Sequence, residues 1–197
     1  MAATAPATET DIVNLALDRL GERKINDIDN PDTDIGETMA RWYHQIRMEC
    51  LREQVWNWAQ GYSVLARSGA AALGEHADAY PLPNDFIRLN SVGLYRTDPI
   101  VDYDINGANL EASNGTTIPI WYNKDIETVS LFDPLFISFF VTRLAEATAF
   151  KVTKKKSVAD MMTQQNAYAT TKAFSVDGQE RKPRRIEKSR LLTGACK

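Results

Sequence analysis

The run LFDPLFISFFVTRLAEATAF, residues 131–150, limits the fold more than any other part of the chain. From Pro134 to about Val152 it reads as one helix. Leu135, Phe136, Ile137, Phe139, Phe140, Val141, Leu144, Ala145 and Ala147 cover nearly its whole circumference. Such a helix must be surrounded. Asp133, Arg143 and Glu146 interrupt the run too often for a membrane span, so it is expected to be a central helix with protein on several faces.

The flanking sequence supplies the neighbours. Thr10 is placed to cap a first helix from about Asp11 to Leu20, with Ile12, Leu15, Ala16 and Leu20 on one face and Gly21 as its stop. A second helix is expected from about Asp32–Asp34 to Gln54, where Ile35, Met39, Trp42, Tyr43, Ile46 and Cys50 form an apolar stripe. A last helix is expected from Ser157 to about Phe174, with Val158, Met161, Met162, Gln165 and Tyr168 inward. Between about 55 and 132 the period changes. YSVLARS, FIRLNSVGLY, IVDYDI, ANLEAS and IPIWYN alternate like strands, and Asn106-Gly107 marks a hairpin turn. The expected fold is mainly α: a four-helix bundle-like body over 10–177 with a small antiparallel β insertion at about 55–132. A disordered N-terminus over 1–9 and an extended basic C-terminal arm over 178–197 complete it.

Trp56 and Trp58, two positions apart in LREQVWNWAQ, stand where helix should give way to sheet. That spacing suits extended backbone, in which residues i and i+2 share a face. With Trp42 and Trp121 they are candidates for a structural seam between bundle and insertion.

The search for chemistry returns little. His44 and His76 have no second ligand at metal spacing, and neither phosphate-binding glycine loops nor a nucleophile elbow is present. No catalytic, cofactor or metal residues are assigned. Asp102, Asp104, Asn106 and Gly107 match the start of a calcium loop, but Ser113 stands where a bidentate Glu belongs, so a plain hairpin is the better reading. Two cysteines give no disulfide framework, and a reducing compartment is the default. The formal net charge is −3, but it is unevenly spread. From Gly178 to Lys197 seven Lys or Arg face two Glu, a balance of +5, which leaves −8 for the rest. The arm has three readings: docking on an acidic partner protein, a passive tail, or a grip on nucleic acid. Its aliphatic residues and lack of aromatics favour the first. Arg181, Lys182, Arg184, Arg185, Lys188 and Arg190 would then make polar contacts, with Ile186, Leu191 and Leu192 as apolar anchors.

Four stretches in order, LDRLGERKI, VWNWA, YPLPNDFIRLNSV and LFDPLFISFFVTRLAEATAF, resemble the head-to-tail adaptor (connector) proteins of tailed bacteriophages, the group that includes tail tubular protein A of short-tailed phages. The likeness spans about residues 10–175 and leaves out the arm. It implies a non-enzymatic helical bundle with a small β insertion, located in the virion neck. Such proteins form a ring, usually of twelve copies, beneath the portal protein. The ring extends the channel through which double-stranded DNA passes without sequence-specific binding, and it carries the tail nozzle or tail-tube protein. In several members a C-terminal arm reaches the portal. A DNA-binding regulator using the basic arm is the alternative.

Overall fold

In a computed structural model the structure describes residues 6–69, 72–95, 98–100 and 102–180. The arm residues Arg181, Lys182, Arg184, Arg185, Ile186, Lys188, Arg190, Leu191 and Leu192 lie outside the described residues. Four helices stand in the order α1 (Glu9–Leu20), α2 (Asp34–Glu53), α3 (Pro134–Thr153) and α4 (Lys156–Gln179). Between α2 and α3 run seven strands: β1 (Gln60–Ala66), β2 (Asp78–Pro81), β3 (Phe86–Tyr95), β4 (Asp98–Ile100), β5 (Asp104–Asn106), β6 (Asn109–Ala112) and β7 (Thr117–Lys124).

Local chemistry sets the helix ends. Thr8, not Thr10, caps α1: its hydroxyl accepts from Asp11 N at 3.1 Å, and the Asp11 carboxylate accepts from Thr8 N at 3.0 Å. This reciprocal box carries order into the segment expected to be disordered. The Thr10 hydroxyl instead accepts from Ile28 N at 3.3 Å and holds the following loop. Thr33 caps α2 through Gly36 N, and Asp133 caps α3 through Leu135 N and Phe136 N with Pro134 in the first turn. α4 runs past Phe174 to Gln179, because Asp177 finds a partner outside the helix.

α3 is the hub, packed against α1, α2 and α4. Phe136, Phe139, Phe140, Leu144 and Ala145 are each 0% exposed, so the run apolar on every side is enclosed by three helices. The inward face expected for α4 needs correcting. Met162 is buried, with Asn166 and Ala173, whereas Met161 is 43% and Tyr168 71% exposed. Leu15 of α1 likewise lies outside, and Val13 and Leu17 take the inner positions.

The expectation of a mainly α protein with a small β insertion is overturned. The chain is mixed α/β, 47% helical and 22% strand, and its strands form two antiparallel sheets. The larger has the order β1-β7-β3-β4 and the smaller β2-β6-β5. They enclose a core of their own. Tyr80, Leu110 and Ala112 from the smaller sheet meet Leu65, Val92, Ile118, Ile120 and Tyr122 from the larger. Period-2 alternation reveals strands but not how many sheets they make. The strand that creates the second sheet, DAYP at 78–81, is too short to stand out from the loop before it. The hairpin turn also differs by one residue. Asn106 pairs with Asn109, so Gly107 and Ala108 form the turn, and Gly107 takes φ 60° at the position a type II′ turn reserves for glycine. At Gly61 a Cβ would come within 2.8 Å of the Tyr122 ring, so β1 crosses that ring only as glycine.

Phe136 packs on Trp56, Trp58 and Phe132 with ring centroids 5.2, 4.9 and 5.2 Å apart. Replacing it with Ala is expected to cost about 3–5 kcal/mol in urea unfolding, because three rings lose their common neighbour.

Candidate functional site: the helix–sheet joint

The C-terminus of α2 meets the larger sheet end-on. A helix leaves its last carbonyls without intrahelical donors, and here side chains satisfy five in succession. Trp56 Nε1 donates to Cys50 O at 2.8 Å. Asn123 Nδ2, from β7, donates to Leu51 O at 2.8 Å and Gln54 O at 2.6 Å. Arg88, from β3, donates to Arg52 O at 3.1 Å and Glu53 O at 3.0 Å. Asn123 is 0% exposed, and its own oxygen accepts from Asn90 Nδ2 at 2.8 Å. Along β7, Ile118, Ile120 and Tyr122 face the smaller sheet. Alternation turns Asn123 the other way, under the helix. Arg52 returns the contact by donating to Ile87 O at 2.6 Å.

The tryptophans divide. Trp56 is 1% exposed and rests on Phe136, Phe139 and Phe174, joining α3 to α4. Trp58 is half-buried on Phe132 and Phe136. Both thus meet one ring of α3, in a link that precedes the first strand. Trp42 packs against the same helical core. Trp121 stands apart: it pairs across strands with Tyr62 at 4.8 Å, on the face of the larger sheet opposite Tyr122. Between the two indoles, Asn57 N donates to Asp177 Oδ1 at 2.8 Å and Asn57 Nδ2 to Asp177 O at 2.5 Å. The end of α4 is fastened at the joint.

Besides Asn123, Arg47 and Asp177 hold the joint and escape sequence reasoning. Arg47, on α2, is only 3% exposed. It pairs with the Asp125 carboxylate and donates to Ile126 O at 2.7 Å, fixing the segment after β7. A lone Arg beside an apolar stripe is the one signal it gives. Asp177 sits in VDGQ, which reads as a helix stop.

The acidic hairpin turns one carboxylate, that of Glu111, to structure. Glu111, 0% exposed, accepts from Leu73 N at 2.7 Å, Gly74 N at 2.9 Å and Asn106 Nδ2 at 2.8 Å. The Leu73 N–H, then Asn106 and Gly74, hold its pKa below the ordinary value against the opposing effect of burial. Asp104 lies 3.3 Å from His76, while His44 is exposed beside the Tyr43 ring. Among the described residues no three His, Cys, Asp or Glu converge where an ion would sit. The Cys50 thiol is buried, and burial pushes its pKa well up, away from nucleophile chemistry. No described helix is long and apolar enough to cross a membrane. No protein-family model matches the chain, and no curated protein matches it.

Asn123→Ala leaves one buried and one part-buried carbonyl without a donor and is expected to lower stability by about 1–3 kcal/mol in chemical unfolding. Asn123→Asp, which turns a carboxylate toward those carbonyls, should do worse. The Glu111 clamp has the opposite pH sign to a histidine switch. A lowered carboxylate pKa adds stability in full above the ordinary value of 4.5, and that stability is lost as pH falls through the native value. Protection factors of the Leu73 and Gly74 amides should fall with acid over that range, and Glu111→Gln should remove the dependence.

Proposed function

We propose that the chain is a structural head-to-tail adaptor of a tailed bacteriophage. It would form a ring below the portal protein, extend the DNA channel and offer the tail nozzle or tail-tube protein a platform. The observation that carries this reading is the ordered set LDRLGERKI, VWNWA, YPLPNDFIRLNSV and LFDPLFISFFVTRLAEATAF. Supporting it, these four distant stretches supply residues of the helical core and of the helix–sheet joint. Leu17 lies in the helical core, Trp56 and Trp58 lie at the joint, Arg88 caps α2 and Phe136 lies at the hub. The two-sheet β region is larger than the small graft the resemblance implies, so the reading rests on the motifs and not on overall architecture. The balance of −8 outside the arm also suits a conduit, because like charge lets DNA slide past.

The arm, with Arg181 to Arg190 as cations and Leu191 and Leu192 as anchors, is assigned to portal contact. Deleting 181–197 should abolish capture of portal protein while leaving the circular dichroism spectrum unchanged; undiminished capture defeats the arm assignment. Electron microscopy of purified virions should show a ring of this subunit mass at the tail vertex. Finding the polypeptide absent from mature particles removes the adaptor reading altogether.

A further inference from the structure

Between α1, α3 and α4 lies a cleft of about 610 Å³. Arg19 from α1 and Lys172 from α4 are its cations, and Leu135, Met161 and Tyr168 supply apolar surface. No carboxylate is among its lining residues. Arg19 is half-buried, and burial alone pushes its guanidinium pKa down from the ordinary value. One terminal nitrogen donates to the Thr142 hydroxyl, the other to Ser138 Oγ at 3.4 Å. The Thr142 hydroxyl in turn donates to Ser138 O at 2.6 Å, which leaves its oxygen facing the guanidinium. Among the described residues neither Arg19 nor Lys172 takes part in an ion pair. A guanidinium has about five N–H donors, and neutral hydroxyls meet only two of these.

This is a cation that has given up part of its hydration, is held in one orientation, and has received no opposite charge. Part of the cost of forming an ion pair there, on the guanidinium side, has already been met in folding. We propose that the cleft binds an acidic segment of a partner protein, with a carboxylate on Arg19 and an adjacent apolar side chain lying against Met161 and Tyr168. Charge complementarity selects the occupant. Two cations are too few to track a polyphosphate backbone. Leu135 and Met161 offer a phosphate nothing, but they suit an aliphatic neighbour of a carboxylate. The inference stands whether or not the chain is a phage adaptor.

The test titrates the ¹⁵N-labelled full chain with an acetylated, amidated Glu-Asp-Leu-Phe-Glu peptide and with its neutral Gln-Asn-Leu-Phe-Gln counterpart. Shift changes should cluster on the residues lining the cleft. The neutral peptide should bind about tenfold more weakly, as loss of one charged hydrogen bond implies. Arg19→Gln should abolish the preference for the acidic peptide. Should that variant fold poorly, Lys172→Gln and Tyr168→Ala change only exposed side chains and should each weaken binding. Equal affinity for the two peptides, shifts mapping elsewhere, or a short oligonucleotide competing better than the peptide would overturn the proposal. So would sedimentation showing self-association that Lys172→Gln abolishes, since the cleft would then belong to a second copy.

Discussion

The five carbonyls at the end of α2 have to be satisfied, and much of the molecule is arranged around that need. A helix ending in solvent leaves them to water. This one ends against a sheet, where an unmet carbonyl at Cys50 or Leu51 carries a desolvation penalty of about 1–3 kcal/mol, while those of Arg52 and Glu53 lie nearer the surface. The donors are Trp56, Asn123 and Arg88, and they come from the exit link, β7 and β3. Trp56 and Asn123 cannot shift without stranding a buried acceptor, so the helix axis, the strand register at Asn123 and the path of the exit link are fixed together. The register irregularities in β3 beside Phe86–Arg88 and Leu89–Ser91 fall where Arg88 and Asn90 reach the joint, and a bulge re-aims side chains in this way.

Two apolar cores grow from this joint. Helices close around α3, with Phe136 and Phe139 against Trp56. The sheets close on each other through Tyr80 and Ile120. The layer between them is largely polar, with Ile87 of β3 reaching across into the helical core. Asn123, Arg88 and Arg47 all donate to backbone carbonyls, and directed hydrogen bonds set an angle between layers that apolar contact alone does not. Buried ion pairs add little net stability; at Arg47 the gain lies in fixing where the segment after β7 goes.

What the sequence revealed followed physical range. The apolar belt of α3 and the stripe of α2 are local periodic signals, and both elements were legible nearly to the residue. The Asn-Gly hairpin was legible to within one position. The inward face of α4 was not, because Met161 and Tyr168 are as apolar as Met162 and no local rule says which neighbour wins. The second sheet was hidden in four residues whose strand character comes from pairing with β6. At the joint, the tryptophan pair advertised itself by residue type. Its donors did not, because Asn123 acquires its partners from residues some seventy positions earlier, and a lone Asn in a strand otherwise counts as an ordinary polar residue.

Arg47 and Arg19 mark the difference between what the chain completes and what it leaves open. Both are withdrawn from water on helices that pack against α3. Arg47 meets the Asp125 carboxylate and a carbonyl, so its burial is compensated within one molecule. Arg19 meets two hydroxyls, which orient it without neutralising it. Those two bonds tie α1 to α3, but they leave the charge itself unanswered beside exposed Met161 and Tyr168. The arrangement becomes economical once a carboxylate arrives from outside: the orientation is already fixed, the nearby apolar surface is waiting, and the missing charge is the one part another protein has to bring.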